Sequence, residues 1–204
     1  MLLKSPFTLI CVGATSSGKS QWVKKLIESR EEMIEPAPSH VLYCYGELNN
    51  TVLEHKQRGV EIFHGIPDES LIRSKQKPLL LILDDLMLDI DNNYLDLLFT
   101  KGSHNWNVSI IFVTQSLFGR NIRTARANAH YLVLMRNPQA QQNIRTIGSQ
   151  LFPGLLKYFM ESYKDATEKV YSYLLVDMHP NTSDEHRLST NIFPGEKEIY
   201  YLPI

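Results

Sequence analysis

The stretch Gly13-Ala14-Thr15-Ser16-Ser17-Gly18-Lys19-Ser20 follows an apolar run over residues 7–12 and fits the pattern G-x-x-x-x-G-K-[ST] at every fixed position. Glycines let the backbone curl so that successive N–H groups point inward at a phosphate. In such a loop the Lys19 ammonium reaches the β- and γ-phosphate oxygens, and the Ser20 hydroxyl binds Mg²⁺. The pattern therefore predicts a nucleoside-triphosphate site that extends from Gly13 to Gln21, with an ordinary Gly/Ser-rich turn as the alternative.

Apolar runs recur along the chain and alternate with polar, helix-compatible stretches. The strand-like runs cover residues 7–12, 41–45, 60–64, 79–84, 108–114 and 130–136. Such alternation predicts an α/β fold with a mostly parallel central sheet and helices on both faces. A helix is expected over 19–32, with Trp22, Val23, Leu26 and Ile27 as its buried stripe, and a short one over 67–74.

Two acids follow the apolar run over 79–83. Asp84 and Asp85 stand where a strand buried on both faces would deliver carboxylates to its C-terminal edge, which is the form of a Walker B element. We expect Asp84 to hold Mg²⁺, directly or through water, and Asp85 to polarise the attacking water. The alternative is that an aspartate caps a helix at the strand end.

A further buried run, residues 108–113, ends in Thr114-Gln115. A glutamine at such a strand tip can bond both the γ-phosphate and the attacking water, which a simple phosphate-loop kinase has little need for. The alternative is that the pair caps a helix beginning at Ser116. Three arginines follow, Arg120, Arg123 and Arg126, and one of them is a candidate arginine finger.

The composition indicates one domain over residues 1–204. The chain is 43% hydrophobic, and its 21 Lys and Arg against 22 Asp and Glu leave a net charge of −1. A constitutive coat for nucleic acid is therefore unexpected, although a basic patch facing a ring pore is compatible with this charge. We treat 7–150 as the core and 151–204 as a C-terminal extension of open role, with strands expected over 171–176 and 199–202.

Several features bear on where the protein works. Cys11 and Cys44 lie in apolar runs without metal-ligand spacing, which favours a reducing compartment. The segment Met1–Val12 superficially resembles a signal peptide, but cleavage there would destroy the loop. We expect a soluble, intracellular protein without a membrane partner, in the host cytoplasm or nucleus, with virion association as a further option. His104 and His130 are expected to be hydrogen-bonded structural residues.

The order of the motifs resembles the genome-packaging ATPases of Polinton/Maverick elements and adintoviruses, which belong with poxvirus-type packaging ATPases in the FtsK/HerA superfamily. The resemblance covers about residues 7–150, and its most specific segments are Thr-Gln-Ser-Leu-Phe and His-Tyr-Leu-Val-Leu. The segments that carry it are the 13–20 loop, Leu83-Asp84-Asp85-Leu86, Lys101-Gly-Ser-His104, Val113-Thr-Gln115-Ser-Leu-Phe118, Arg123 and Asn128-Ala-His130-Tyr-Leu-Val-Leu-Met-Arg136-Asn137-Pro138.

The resemblance implies a RecA-like, additional-strand P-loop NTPase that assembles into a homo-oligomeric ring. The ring would use ATP and Mg²⁺ to drive double-stranded DNA, without sequence preference, into a capsid, and a capsid vertex protein is a further candidate partner. The implied roles are triphosphate and Mg²⁺ ligands for Lys19 and Ser20, Walker B acid for Asp84, catalytic carboxylate for Asp85, γ-phosphate sensor for Gln115 and trans finger for Arg123.

Superfamily members often have glutamate at the second acid, so the shorter Asp85 positions water differently or shares the task with Asp84.

Two other functions stay open at the level of sequence. A small-molecule kinase would use the same loop but would need an arginine-rich lid over an acceptor. A nucleotide-gated scaffold at a capsid vertex would bind nucleotide without turnover.

Overall fold

A nine-stranded sheet forms the centre of the molecule in the computed structural model, which describes residues 1–119 and 122–203. Its strands are β2 (Thr8–Val12), β4 (His40–Tyr45), β5 (Glu61–His64), β6 (Leu79–Asp84), β7 (Val108–Thr114), β8 (Tyr131–Met135), β9 (Tyr173–Asp177), β10 (Leu188–Thr190) and β11 (Ile199–Tyr200). Two short strands, β1 (Leu3–Lys4) and β3 (Ile34–Glu35), pair in parallel as a separate sheet.

Helices connect most of the parallel strands. They are α1 (Lys19–Glu28), α2 (Arg30–Met33), α3 (Asn50–Gln57), α4 (Glu69–Ser74), α5 (Asn92–Leu97), α6 (Ser103–Trp106), α7 (Arg123–Ala127), α8 (Gln141–Leu151) and α9 (Leu156–Ala166). A π-helical turn, Leu98–Gly102, joins α5 to α6, and single 3₁₀ turns lie at Pro138–Ala140 and Asp184–His186.

The strand order decides the subclass of the fold. The order across the sheet is β11-β10-β9-β8-β2-β7-β6-β4-β5, so β2 is the middle strand and β7 separates it from β6. All neighbours from β5 to β8 pair in parallel, whereas β9, β10 and β11 pair antiparallel. The predicted fold class, a mostly parallel α/β sheet with an additional strand between the loop strand and the Walker B strand, is confirmed.

The register brings the predicted site motifs to one edge of the sheet. Val12 pairs with Thr114, and Val113 pairs with Asp84. Because parallel strands end at the same edge, the loop after β2, the polar tip of β7 and the acids after β6 follow at one level.

Each face of the sheet is covered by its own apolar cluster. Alternate side chains of β2 divide between them, with Leu9 and Cys11 on one face and Ile10 and Val12 on the other. The first face packs against α1, α2 and α3, and the predicted stripe Trp22, Val23, Leu26 and Ile27 of α1 is buried there. The second packs against side chains of α4 to α9.

Several predicted boundaries are wrong by a few residues. The helix expected over 19–32 is two helices, because it is interrupted at Ser29, whose ψ of 15° departs from helical geometry. The helix expected from residue 67 begins at Glu69, since the Asp68 side chain accepts the Leu71 N–H and caps it. The strand expected over 171–176 begins at Tyr173, because Tyr171 has a φ of +63°. The strand expected over 199–202 ends at Tyr200.

A glycine fixes how closely α8 and α9 pack. A Cβ at Gly148 would lie 2.9 Å from Cε1 of Phe159, with Cδ1 nearer still. We predict that Gly148→Ala lowers the free energy of unfolding by about 1–2 kcal/mol, because overpacking outweighs the gain in helix propensity. Urea unfolding measures it. Ser149→Ala, an exposed change in the same helix, should shift stability by less than about 0.5 kcal/mol. A Gly148→Ala variant as stable as the parent would contradict the packing.

Candidate functional site

The 13–20 loop curls between the end of β2 and the start of α1. The Gly13 N–H donates to the Thr114 carbonyl at 3.3 Å, and the Ser17 N–H donates back to the Ala14 carbonyl at 3.2 Å. Gly18 has a left-handed φ of 105°, and its carbonyl accepts the Trp22 N–H at 2.9 Å. The loop is thus anchored at one end to β7 and runs at the other directly into the helix.

Both glycines of the motif are required by close approach. A Cβ at Gly13 would lie 2.6 Å from Cβ of Met135, at the end of β8, and closer still to the Ser17 hydroxyl. A Cβ at Gly18 would lie 2.9 Å from Cδ1 of Tyr171 and 3.1 Å from Cε of Met135. Any side chain at either position would push the loop out of its curl.

Lys19 folds back onto its own loop. Its Nζ donates to the Gly13 carbonyl at 2.8 Å and to the Ala14 carbonyl at 2.9 Å. Burial lowers the pKa of this ammonium, while the negative charges of Asp84 and Asp85 act in the opposite direction. The cation is therefore held at the mouth of the loop by weak, neutral acceptors that phosphate oxygens can replace.

Asp84 is buried at the end of β6, with 8% of its surface exposed. The Tyr43 hydroxyl, on the neighbouring strand β4, donates to Asp84 Oδ2 at 2.5 Å. Burial raises the pKa of Asp84, and the charge of Asp85 adds to that shift, whereas the Tyr43 hydrogen bond and the Lys19 charge oppose it. A carboxylate in this position is stabilised by a bound cation.

Asp85 is exposed, and its φ of +56° takes its backbone out of the strand conformation. Aspartate tolerates this left-handed conformation better than most residues. The backbone of Gly46, after β4, passes so close that a Cβ there would lie 2.6 Å from the Asp85 carbonyl oxygen. The two adjacent acids thus have different surroundings, one buried and oriented by Tyr43, the other open to solvent.

Gln115 lies beside the loop. It is exposed at the tip of β7 and lines a small cavity together with Gly13 and Asn137. Thr114 is buried, and its hydroxyl donates to Met87 Sδ at 3.0 Å. The alternative that this pair caps a helix at Ser116 is wrong, because residues 116–119 are not helical and bend back onto Thr114 instead.

The arginines differ in what they contact. Arg123 is exposed at the first position of α7, which packs against α5 and the π-helical turn. Arg126 donates to the Leu117 carbonyl at 2.8 Å, and its guanidinium lies 4.5 Å from the centre of the Phe118 ring. Arg136 donates weakly, at 3.4 Å, to the Glu168 carbonyl. Arg120 lies outside the described residues. Arg126 therefore serves to hold the 116–119 segment, whereas Arg123 extends from the surface.

The donors at the loop fit Mg²⁺. Ser20 is half-buried in the first turn of α1, while Thr15, Ser16 and Gln21 are exposed around it. Within residues 1–119 and 122–203, no three His, Cys, Asp or Glu side chains group closely enough to hold a metal ion. Ser20 and Asp84 would act as hard oxygen donors beside phosphate oxygens, which is how Mg²⁺ is usually held, with waters completing its shell.

His130 has the structural role predicted for it. Its Nδ1 lies 3.1 Å from the Thr8 N–H, at the opposite end of β2 from the loop, and accepts from it. His104 is exposed on α6.

The sequence patterns missed four contributors to the site. Tyr43, Gly46, Met135 and Tyr171 each touch a motif residue that is distant in the chain. A tyrosine within an otherwise apolar strand and a glycine directly after β4 were the available signals, because both residue types have reasons to stand at a buried polar edge.

The fold is shared with solved ATPase structures. No protein-family model and no curated protein matches the chain. It is similar to the structure of EssC (ATPases 2 and 3) from Geobacillus thermodenitrificans, with a TM-score of 0.60 and 13% identity, and to the cytoplasmic domain of EssC, with a TM-score of 0.52 and 15% identity. Each match covers 97% of this chain and 40% of the EssC chain.

A third similar structure comes from an archaeon. The match to a KaiC-like protein from Pyrococcus horikoshii has a TM-score of 0.50 and 14% identity, and covers 97% of this chain and 91% of that one. This chain has the RecA-like P-loop ATPase fold. None of the helices in its described ranges combines the length and apolar character needed to cross a bilayer.

The Tyr43–Asp84 hydrogen bond carries a prediction about metal affinity. Tyr43→Phe keeps the ring but leaves Asp84 without its donor, so we expect the apparent affinity for Mg²⁺ to fall about 10- to 100-fold. A Mg²⁺ titration of nucleotide binding measures it. The matched control is Tyr131→Phe, a buried tyrosine of the same sheet whose hydroxyl, among the described residues, is hydrogen-bonded only to the Lys4 N–H. If both variants need the same Mg²⁺ concentration as the parent, Asp84 is not a metal ligand oriented by Tyr43.

Proposed function

We propose that this chain is an ATP-hydrolysing motor that moves double-stranded DNA, of the type that packages viral or virus-like genomes into capsids. The observation that carries hydrolysis is the alignment of the loop after β2, Gln115 after β7 and Asp84-Asp85 after β6 along one sheet edge. The ATPases among the similar structures support the same activity. The sequence resemblance to packaging ATPases of the FtsK/HerA superfamily supports the choice of DNA as the object moved.

The residues divide the chemistry between binding and water activation. Lys19 would exchange its two loop carbonyls for phosphate oxygens, a stronger charge-assisted interaction. Ser20 and Asp84 would hold Mg²⁺, which supplies charge neutralisation at the phosphates when bound. Exposed Asp85 is suited to orient the attacking water and accept its proton, and Gln115 to bond the γ-phosphate. The buried Asp84 is less suited to that step, because its carboxylate is already engaged by Tyr43.

Movement of DNA requires contacts to phosphates from a subunit whose net charge is only −1. Such contacts need locally clustered cations. A groove of about 690 Å³ between α8 and α9 offers such a cluster. Two carboxylates, Glu161 and Glu168, also line this groove. Its cations are Arg136, Arg145, Lys157 and Lys164. A homo-oligomeric ring would line its pore with one such cluster per subunit, and a capsid vertex protein would hold the ring in place.

The decisive measurement is the rate of ATP hydrolysis with and without duplex DNA. We expect turnover that duplex DNA stimulates, that is lost in Lys19→Ala, and whose DNA stimulation weakens steeply as salt rises. Turnover only with a small acceptor would select a kinase instead. ATP binding with no turnover under any condition would select the capsid-vertex scaffold.

A second prediction tests Arg123 as a finger that acts on a neighbouring subunit. Arg123→Ala should lower turnover about 10³- to 10⁵-fold, because a finger stabilises transition-state charge. An exposed arginine without that role would cost little. Arg123→Ala subunits retain an intact phosphate loop, and Lys19→Ala subunits retain an intact Arg123. Mixing the two inactive variants should therefore restore activity at the interfaces where an intact loop meets an intact Arg123 of the neighbouring subunit.

The control for that mixing experiment is Arg126→Ala, whose guanidinium is already engaged by Leu117 and Phe118. If demonstrably mixed oligomers of Arg123→Ala and Lys19→Ala stay inactive, Arg123 is not the finger, and Arg120 and Arg136 are next to be tested.

A further inference from the structure

A groove runs away from the loop on the side opposite the acids. It has a volume of about 520 Å³, within the size range of small-ligand sites. One wall is the outer face of α1, with Gln21 and Lys25, and the other is the 169–172 turn between α9 and β9. Gly18 of the loop and Asn191, which follows β10, also line the groove. We refer to it below as the Tyr171 groove.

Tyr171 is held in an unusual state. Its φ is +63°, a conformation that costs a bulky residue free energy, and 59% of its surface is nevertheless exposed. Its ring contacts Gly18, as the distance of 2.9 Å from Cδ1 to a hypothetical Gly18 Cβ shows. The surrounding structure thus holds the backbone of Tyr171 in an unfavourable conformation. In this conformation the ring lies against the last glycine of the loop and remains largely exposed to solvent.

The floor of the groove is rigid. Trp22, Tyr173 and Phe193 are buried and meet edge to face, with ring centroids 5.6–6.2 Å apart. This cluster ties α1 to β9 and to the segment after β10. The 169–172 turn therefore stands at a fixed distance from the loop, as a preorganised wall requires.

The strand order gives the direction in which a bound triphosphate would run. The acids and Gln115 follow β6 and β7, on one side of β2, so the γ-phosphate and its metal belong there. β8 and β9 lie on the other side of β2, and Tyr171 lies two residues before the start of β9. The α-phosphate and the nucleoside must then leave the loop toward the Tyr171 groove.

We infer that the Tyr171 groove binds the nucleoside of the triphosphate, with the base stacked on the exposed Tyr171 ring. This inference rests on the proposed nucleotide binding by the 13–20 loop. The side-chain amides of Gln21 and Asn191 supply donors and acceptors in the groove for the edges of the base and the ribose. Any base can stack on an aromatic ring. The groove should therefore distinguish a nucleoside triphosphate from a phosphate chain that lacks a nucleoside more strongly than it distinguishes one base from another.

The test compares a ligand that has a nucleoside with one that lacks it. Binding of ATP and of inorganic tripolyphosphate is measured calorimetrically, in the presence of Mg²⁺, for the parent and for Tyr171→Ala, Tyr171→Leu and Tyr171→Phe. Loss of a stacked base should weaken ATP binding about 5- to 150-fold in the Ala and Leu variants. Tripolyphosphate binding should not change, and Tyr171→Phe should bind ATP like the parent, because it keeps the ring.

Two controls separate stacking from folding. Tyr200→Ala removes another exposed tyrosine, from β11 and outside the groove, and should leave ATP affinity unchanged. Tyr171→Leu retains apolar bulk against Gly18, so it reports on stacking even if the Ala variant unfolds in a thermal melt.

Each remaining outcome overturns the inference in a distinguishable way. Equal affinity of the parent for ATP and tripolyphosphate would mean that no nucleoside subsite exists, while nucleotide binding by the loop stands. Parallel loss of both ligands in Tyr171→Leu would make Tyr171 a support of the loop rather than a base platform. A parent that binds neither ligand would remove the proposed nucleotide function itself.

Discussion

The insertion of β7 between β2 and β6 is the constraint on which the site depends. Neighbouring strands lie about 4.8 Å apart, so the loop and Asp84 are separated by about 10 Å, with the tip of β7 between them. Lys19 bonds the carbonyls of its own loop rather than Asp84, and the gap between them leaves room for phosphate oxygens and a metal. The pairings Val12–Thr114 and Val113–Asp84 fix the level of all three strand ends, so a slip of one register would remove Gln115 or Asp84 from the edge.

Electrostatics within this gap favour a charged ligand. Asp84 is buried and its pKa is raised, whereas Lys19 is half-buried and its pKa is lowered, so desolvation destabilises both charges. Each is satisfied by a neutral partner, Tyr43 for the acid and two backbone carbonyls for the ammonium. A polyanion that arrives with a divalent cation would supply both charges with an opposite partner at once.

The sequence predicted those parts of the site that are local in the chain. The loop, the Asp84-Asp85 pair and Gln115 each follow an apolar run, because a strand buried on both faces must be apolar until it ends. Other contacts join segments that only the tertiary fold brings together, so no spacing of residues along the sequence predicts them. They are the contacts of Tyr43 with Asp84, of Gly46 with Asp85 and of Tyr171 with Gly18. Residues 151–204 were the least predictable part, since antiparallel strands of two to five residues leave a weak pattern.

The two margins of the sheet have a consequence for how copies of the chain can meet. β5 is four residues long, and its Glu61 is engaged by both His40 and Lys75, while β11 at the opposite margin has only two residues. Short margins, of which the one at β5 is also charged, resist the backbone pairing that would otherwise join sheets of different molecules into fibres. Association in solution would therefore have to proceed through loops and helix faces, whose contacts can open and close as a cycle of nucleotide binding and release demands.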